Sequence, residues 1–428
     1  MNYIKQIIFE LKNQKMVTWV AISGTALAIF LIMATFMSDR LVNVSISPES
    51  NRLRILKGHG MDFISENGSG SGWGIDYDLA CKLYNNLDGV EKISFISIHW
   101  NPFDVGESGH NTITAKGLDV DHEFWNIYDY KFLSGRPFEK EEIESGQKIA
   151  VITESVAREV FKETDVAGRK IDIDGTPHII KGVVEDSFPL LPDGIIKVFT
   201  NFSKDFTSNF GAGIFGHSGV RLLLKDGVDP AYVKEQVEKR YETINRELFK
   251  EGKEIIYHQQ PYTSEELSAG SFGSNNDPNL SFHTRLRALI YILLILLPAI
   301  NLSSMTRSRL QQRISEIGVR RAFGAKRKSI ISQIFMENLI LTFMGGVLGL
   351  GLSLIFLTFL SNYFIGATTI DFEMVTTYKI TDVIWHVFDF TNFFIAFGAC
   401  FVLNLLSTFI PAWRASGVEP AVAIAKIR

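Results

Sequence analysis

The chain has 428 residues, with 43 Lys and Arg against 47 Asp and Glu, for a formal net charge of −4. That balance excludes a nucleic-acid reader working through bulk basicity, and an apolar fraction of 46% excludes a disordered chain. Two cysteines, Cys81 and Cys400, are too few for a disulfide framework or a cysteine-based metal site.

Charge is segregated along the chain. In residues 1–15, Ile4, Ile7, Ile8 and Leu11 form an apolar stripe while Lys5, Lys12 and Lys15 lie mostly elsewhere. This is the pattern of an amphipathic cytoplasmic helix resting on the inner leaflet. Residues 16–37 carry no charge over 22 positions. At about 1.5 Å per residue they cross a hydrocarbon core of about 30 Å. A cleaved signal peptide would have a shorter apolar core and end in small residues. This run ends in Phe36 and Met37, so it reads as a retained first span.

Residues 38–284 form one large polar stretch in which short β-branched runs recur: Lys92–Ile98, Lys148–Thr153, Lys170–Asp174, His178–Val184, Ile195–Thr200, Val220–Leu224 and Glu254–His258. Thr153 is placed to cap a helix over Glu154–Lys162, and Asp229 to cap one that begins at Pro230 and runs to about Phe249. Strand and helix alternate as in an α+β domain built from split β-α-β pieces. Ser65–Gly74 and Ser268–Leu280 are rich in Gly, Ser and Asn and read as a loop, carrying Trp73, and a linker.

Three further apolar segments follow. Residues 288–305 are bracketed by arginines and interrupted by Pro298, residues 339–364 are rich in glycine, and residues 393–413 end at Trp413. Between the first two, residues 306–338 carry Arg307, Arg309, Arg313, Arg320, Arg321, Lys326, Arg327 and Lys328. The loop 365–390 carries Asp371, Glu373, Asp382 and Asp389 against Lys379, and the tail 414–428 is basic. One topology satisfies the preference of Lys and Arg for the cytoplasm. Both termini and the basic loop lie inside, and residues 38–284 lie outside. The fold class is therefore an integral membrane α-helical protein of four transmembrane helices with a large α+β extracytoplasmic domain. Cys81 in the outer domain and Cys400 in the fourth span should not pair, and Cys81 reads as a free thiol in a core.

No enzyme constellation is visible. The sequence has no HExxH, no G-x-S-x-G elbow and no Cys/His cluster, and the histidines are scattered. The spans carry no mid-span acid or base, which argues against an ion-coupled carrier. In the third span Gly345 and Gly349 form a G-x-x-x-G pair, which permits close helix packing within the bundle or a dimer. The basic loop reads as a helix with a charged face, a break near Gly324 and Ala325, then a second helix. A topology signal accounts for its bases but not for Gly318, Gly324 and the embedded Glu316. A docking element for a cytoplasmic partner would use such an ordered segment.

Glu316-Ile317-Gly318-Val319-Arg320-Arg321-Ala322-Phe323-Gly324-Ala325 resembles the EIGIRRAxGA signature of FtsX/MacB-type (type VII) ABC transporter permeases. Pro411-Ala412-Trp413-Arg414-Ala415-Ser416 through Pro420-Ala421 resembles their terminus. Val151 to Ala157, Gly168-Arg169, Ile180 to Val184 and Asp226 to Pro230 are similar to a MacB periplasmic core. The resemblance implies a subunit of a bacterial inner-membrane transporter, acting as a homodimer or as one of a pair of permeases. Its loop would hold the coupling helix for an ABC ATPase, with Glu316, Gly318, Arg320, Arg321, Gly324 and Ala325 at or near the contact. No G-x-x-x-x-G-K-[ST] loop occurs to cradle a triphosphate. The expectation is no catalytic residue, no metal and no cofactor here, with ATP bound by a separate ATPase subunit. A periplasmic adaptor and an outer-membrane channel are further expected partners, with no nucleic acid, and the cargo would be an antibiotic, peptide or lipid-like molecule. The alternatives are an FtsX-like regulator of an extracytoplasmic hydrolase, or a receptor, which would need a cytoplasmic signalling module.

Overall fold

The computed structural model describes residues 15–65, 68–72, 74–99, 101–109, 112–187, 191, 194–203, 215–256, 258–269, 278–312, 314–370, 388 and 390–416. The amphipathic segment before Lys15, Trp73, most of the 268–280 linker, the acidic loop after Ile370 and the tail after Ser416 lie outside the described residues. The chain divides into two compact units. One draws on Met1–Asp39, Thr284–Leu360 and Val387–Arg428, the other on Arg40–His283 and Ser361–His386.

In the second unit the β-branched runs become strands, all of them in one mixed sheet except the last, Glu254–His258, whose strand lies in a separate three-stranded sheet. Strand Ile149–Thr153 lies parallel to Thr176–Val184 with helix Glu154–Phe161 in the connection. Gly117–Val120 lies parallel to Val198–Asn201, and the long pair Val90–Ile98 and Ser218–Leu224 is antiparallel. Helices Tyr77–Tyr84 and Pro230–Leu248 bury Leu79, Leu83, Val233 and Val237 in one cluster with Leu222 and Leu224. A second cluster is aromatic, with Phe124 stacked on Tyr128 and in contact with Phe199. Each such side chain contributes about 1.5–3 kcal/mol through burial. Cys81 packs beside the first cluster, half-buried, and both cysteines are free.

Two local expectations need correction. Helix Glu154–Phe161 forms, but the Thr153 side chain does not cap it. The Thr153 hydroxyl instead meets Ser155 Oγ at 3.0 Å, and Asp186 accepts from the Ser155 amide at 3.1 Å. A carboxylate is the stronger acceptor at a helix N-terminus, and Lys197 holds it there at 2.6 Å. The Asp229 cap is present, accepting from the Ala231 amide at 2.9 Å with Pro230 in the first turn. The Gly/Ser segment is not a loop throughout. Gly68–Gly72 is a strand paired with Met61–Ser65, which in turn pairs with Lys253–Ile256. Backbone pairing to an apolar neighbour overrides the poor strand propensity of glycine.

The first unit is helical. It is built from all or most of the helices α1 (Lys15–Asn43), α2 (Leu280–Gln312), α3 (Ile314–Ala322), α4 (Arg327–Ile370) and α5 (Phe390–Ser416). Helix α2 continues through Pro298 as a single element. Prolines are tolerated in membrane helices where neighbouring groups satisfy the freed carbonyl. Helix α4 runs to Ile370, past the expected end of its span at 364. Among the described residues two stretches are long and apolar enough to cross a membrane, Thr18–Met37 and Arg327–Phe356, and Phe390–Leu403 is a shorter apolar helix.

Helices α1 and α4 pack closely. A Cβ built on Gly345 would lie 2.7 Å from Thr25 Cβ, and one on Gly349 would lie 2.7 Å from the Ala26 carbonyl oxygen. Phe30 meets Phe356 edge-on at 5.2 Å between ring centroids, extending the same contact. Gly345 and Gly349 of α4 thus face the first helix of the same chain, whereas Gly346 faces Phe397 of α5.

Candidate functional site

The basic segment folds as a helical hairpin. Helix α3 ends in a paired set of backbone bonds: Gly324 N–H donates to Arg321 O at 3.0 Å and Ala325 N–H donates to Arg320 O at 3.0 Å. This six-to-one and five-to-two pattern needs a left-handed residue just beyond the helix. Gly324 supplies it with φ +89°, a conformation costly for any residue with a Cβ. The chain then re-enters a helix at Arg327, and Ser329 N–H donates to Lys326 O at 3.0 Å.

Apolar side chains hold the hairpin shut. Ile317 of α3 is buried with Ile330 and Ile334 of α4 and Ala412 of α5. Ala412 belongs to the terminal signature, so the two sequence signatures meet in space. Gly318 is buried on this inner side, while Arg321 and Ala325 are half-buried. Arg321 Nε is buried and has no hydrogen-bond partner among the described residues. Glu316 lies on α3, and its side chain is outside the description.

Arg320 is also half-buried and points back along the hairpin. Its Nη1 donates to Gln333 Oε1 at 2.9 Å, and Gln333 Nε2 donates to Glu337 Oε1 at 3.3 Å. The outer side is different. Val319 is 40% exposed and Phe323, at the tip, is 89% exposed. Lys326, Arg327 and Lys328 are exposed beside it. An aromatic knob ringed by cations suits a partner with an apolar pocket and an acidic rim. The sequence motifs assign no site role to Phe323, Gln333 or Glu337. The four-residue spacing of Gln333 and Glu337 was the available signal for the last two.

In the outer unit, His99 Nε2 lies 2.9 Å from Asp119 Oδ2 and His258 Nε2 lies 3.0 Å from Asp62 Oδ2. Burial pushes the His178 and His217 imidazoles below their ordinary values. Among the described residues no group of three or more His, Cys, Asp or Glu is arranged to hold a metal ion.

The family model for the MacB-like periplasmic core domain matches residues 18–240, more than half of the chain, and that for the FtsX-like permease C-terminal region matches residues 288–420. The chain belongs to the MacB/FtsX family of ABC transporter permeases. It is similar to the ABC transporter permease YknZ of Bacillus subtilis strain 168, with 27% identity over 233 residues, covering 54% of this chain and 55% of that protein. It is also similar to the macrolide export ATP-binding/permease protein MacB 2 of Aeromonas hydrophila, with 21% identity over 324 residues, covering 75% of this chain and 45% of that protein. The chain thus spans about half the length of these curated relatives. The solved periplasmic region of MacB from Actinobacillus actinomycetemcomitans aligns with a TM-score of 0.31 and 14% identity, over 46% of this chain and 88% of that one. As a MacB/FtsX permease the protein is membrane-embedded, and its hairpin 314–327 falls within the FtsX-like region.

Proposed function

We propose that this permease works by mechanotransmission, coupling ATP hydrolysis on a separate ABC ATPase subunit to motion of its outer domain. Helices α1, α2, α4 and α5 are the four spans. Both termini and the hairpin are cytoplasmic, and the α+β unit is extracytoplasmic. The ATPase binds the nucleotide, so this chain needs no cofactor. It acts as a homodimer or with a second permease, and hands its cargo to a periplasmic adaptor and outer-membrane channel. The cargo class is an antibiotic, peptide or lipid-like molecule, in keeping with the macrolide export named for its relatives.

The observation that carries this reading is the hairpin tip. It pairs a rigid, glycine-terminated helix end with an aromatic side chain that is 89% exposed. A large exposed phenylalanine among cations has no role in a mere topology signal. Central aromatic anchors commonly cost about 2 kcal/mol or more of binding when truncated, about 30-fold in affinity. Phe323→Ala should therefore weaken the ABC ATPase by that order in a nanodisc titration. Unchanged affinity with unchanged stimulation of ATP turnover would refute the coupling role.

A further inference from the structure

Arg320 sits in the signature and carries charge, and both features suggest a surface that touches the partner. Its geometry says otherwise. The guanidinium turns away from the exposed tip and reaches α4, 13 residues along the chain, to donate to Gln333 Oε1 at 2.9 Å. Gln333 passes the link on, donating from Nε2 to Glu337 Oε1 at 3.3 Å one turn further. Glu337 is only 9% exposed and begins the buried run Glu337-Asn338 that leads into the apolar part of α4.

We infer that Arg320, Gln333 and Glu337 form an internal strut that fixes the angle of α3 on α4, so that Arg320 is a positioning residue and not a partner contact. The chemistry is specific to this order of groups. A carboxamide accepts through oxygen and donates through nitrogen at once, so one glutamine can join a cation to an anion. Leucine at 333 can do neither. Glutamate there would keep the bond from Arg320 but repel Glu337. Without the strut, the turn at Gly324 and the apolar contacts of Ile317 still hold α3 against its neighbours. Apolar contact is non-directional and leaves the helix free to pivot about the glycine. With the strut, displacement of the tip turns α4 instead of flexing the hinge.

This inference rests on the coupling reading, and two measurements separate them. The first is amide hydrogen exchange of the full chain in nanodiscs, with no partner present. Gln333→Leu should raise exchange over Gly318–Ala325 about tenfold, as expected for a lost charge-assisted bond holding a local unit. Arg320→Lys with Gln333 in place, which keeps a donor, should retain most of the protection, and Phe323→Ala should leave it unchanged. The second is a titration with the ABC ATPase recovered with the wild-type chain from its own host. Gln333→Leu should keep the half-saturating concentration within about twofold while maximal stimulated turnover falls about fivefold or more. Unchanged exchange in Gln333→Leu overturns the strut. So does a loss of ATPase affinity matching that of Phe323→Ala, which would make this side chain cluster a contact surface. A wild-type chain that neither binds nor stimulates the ATPase overturns the coupling reading instead, and the exchange data judge the strut by themselves.

Discussion

Gly349 and Gly351 lie on the same helix, yet replacing each by alanine should have opposite consequences. A Cβ at 349 would stand 2.7 Å from the Ala26 carbonyl oxygen and 3.0 Å from Ile29 Cβ, whereas one at 351 meets nothing within 4 Å. Ordinary contact begins near about 3.5 Å, so α1 and α4 must part by roughly 0.8 Å to accept the methyl group. A gap of that size forfeits about a quarter to a half of each dispersion contact of about 0.1–0.2 kcal/mol. Over some 20–30 facing atom pairs, the loss is on the order of 1–2 kcal/mol. Alanine also gains about 0.8–1 kcal/mol over glycine in helix propensity, but it gains this at both positions. The difference between the variants therefore isolates the clash, and 1–2 kcal/mol corresponds to about a 5–30-fold change in the unfolding equilibrium. Titration with SDS in mixed micelles, followed by tryptophan fluorescence, reads the two midpoints. Gly349→Ala should melt clearly before Gly351→Ala. If it proved equally or more stable, the close approach of these two helices would be wrong.

Lys197→Met should destabilise the outer unit strongly, because it takes an ammonium away from Asp186, whose side chain is only 2% exposed. Breaking such a buried pair costs about 3–5 kcal/mol, and in thermal unfolding the double variant Lys197→Met/Asp186→Asn should recover part of that loss. Glu142 should make stability acid-sensitive. Its burial opposes ionisation, but bonds from Arg136, Lys181 and the Glu139 amide outweigh that and hold its carboxyl down at about 2. A depressed carboxylate stabilises the fold above its unfolded value near 4.5 and loses that contribution as pH falls towards 2. With solvent screening allowed for, the expected loss is about 1–2 kcal/mol across that window, and Glu142→Gln should flatten it in an acid-unfolding series. At the hairpin, Gly324→Val should strain the turn by about 1–2 kcal/mol through its φ of +89° alone, since a Cβ there meets nothing within 4 Å. Gly324→Asn should be milder, and exchange of the Ala325 amide reports both.

Much of the fold was readable because many of the outer domain's strands are dense in β-branched residues, and tertiary contacts moved the ends of those runs by only a few residues, lengthening some and shortening others. Asp229 announced its helix because a capping aspartate followed by proline acts locally. Thr153 misled because its competitor, Asp186, is distant in sequence and arrives only when the sheet assembles. Gly68–Gly72 misled for a related reason. Its pairing comes from Met61–Ser65, and glycine and serine contribute no pattern of their own. In the hairpin, Gly324 was legible as a break, since a left-handed helix end asks for glycine. The inward role of Arg320 was not, because nothing in a one-dimensional motif says which way a long cation points. Phe323 was hidden because its exposure depends on the turn at Gly324 that follows it, which the motif alone does not orient.

Helix α4 is 44 residues in one piece, about 66 Å of rod. Gly345, where it presses on α1, divides that rod into arms of roughly 27 Å towards the hairpin and 37 Å towards Ile370. A beam pivoting at that crossing would amplify: a nudge of about 3 Å at the short arm emerges as about 4 Å at the other end, reversed in direction.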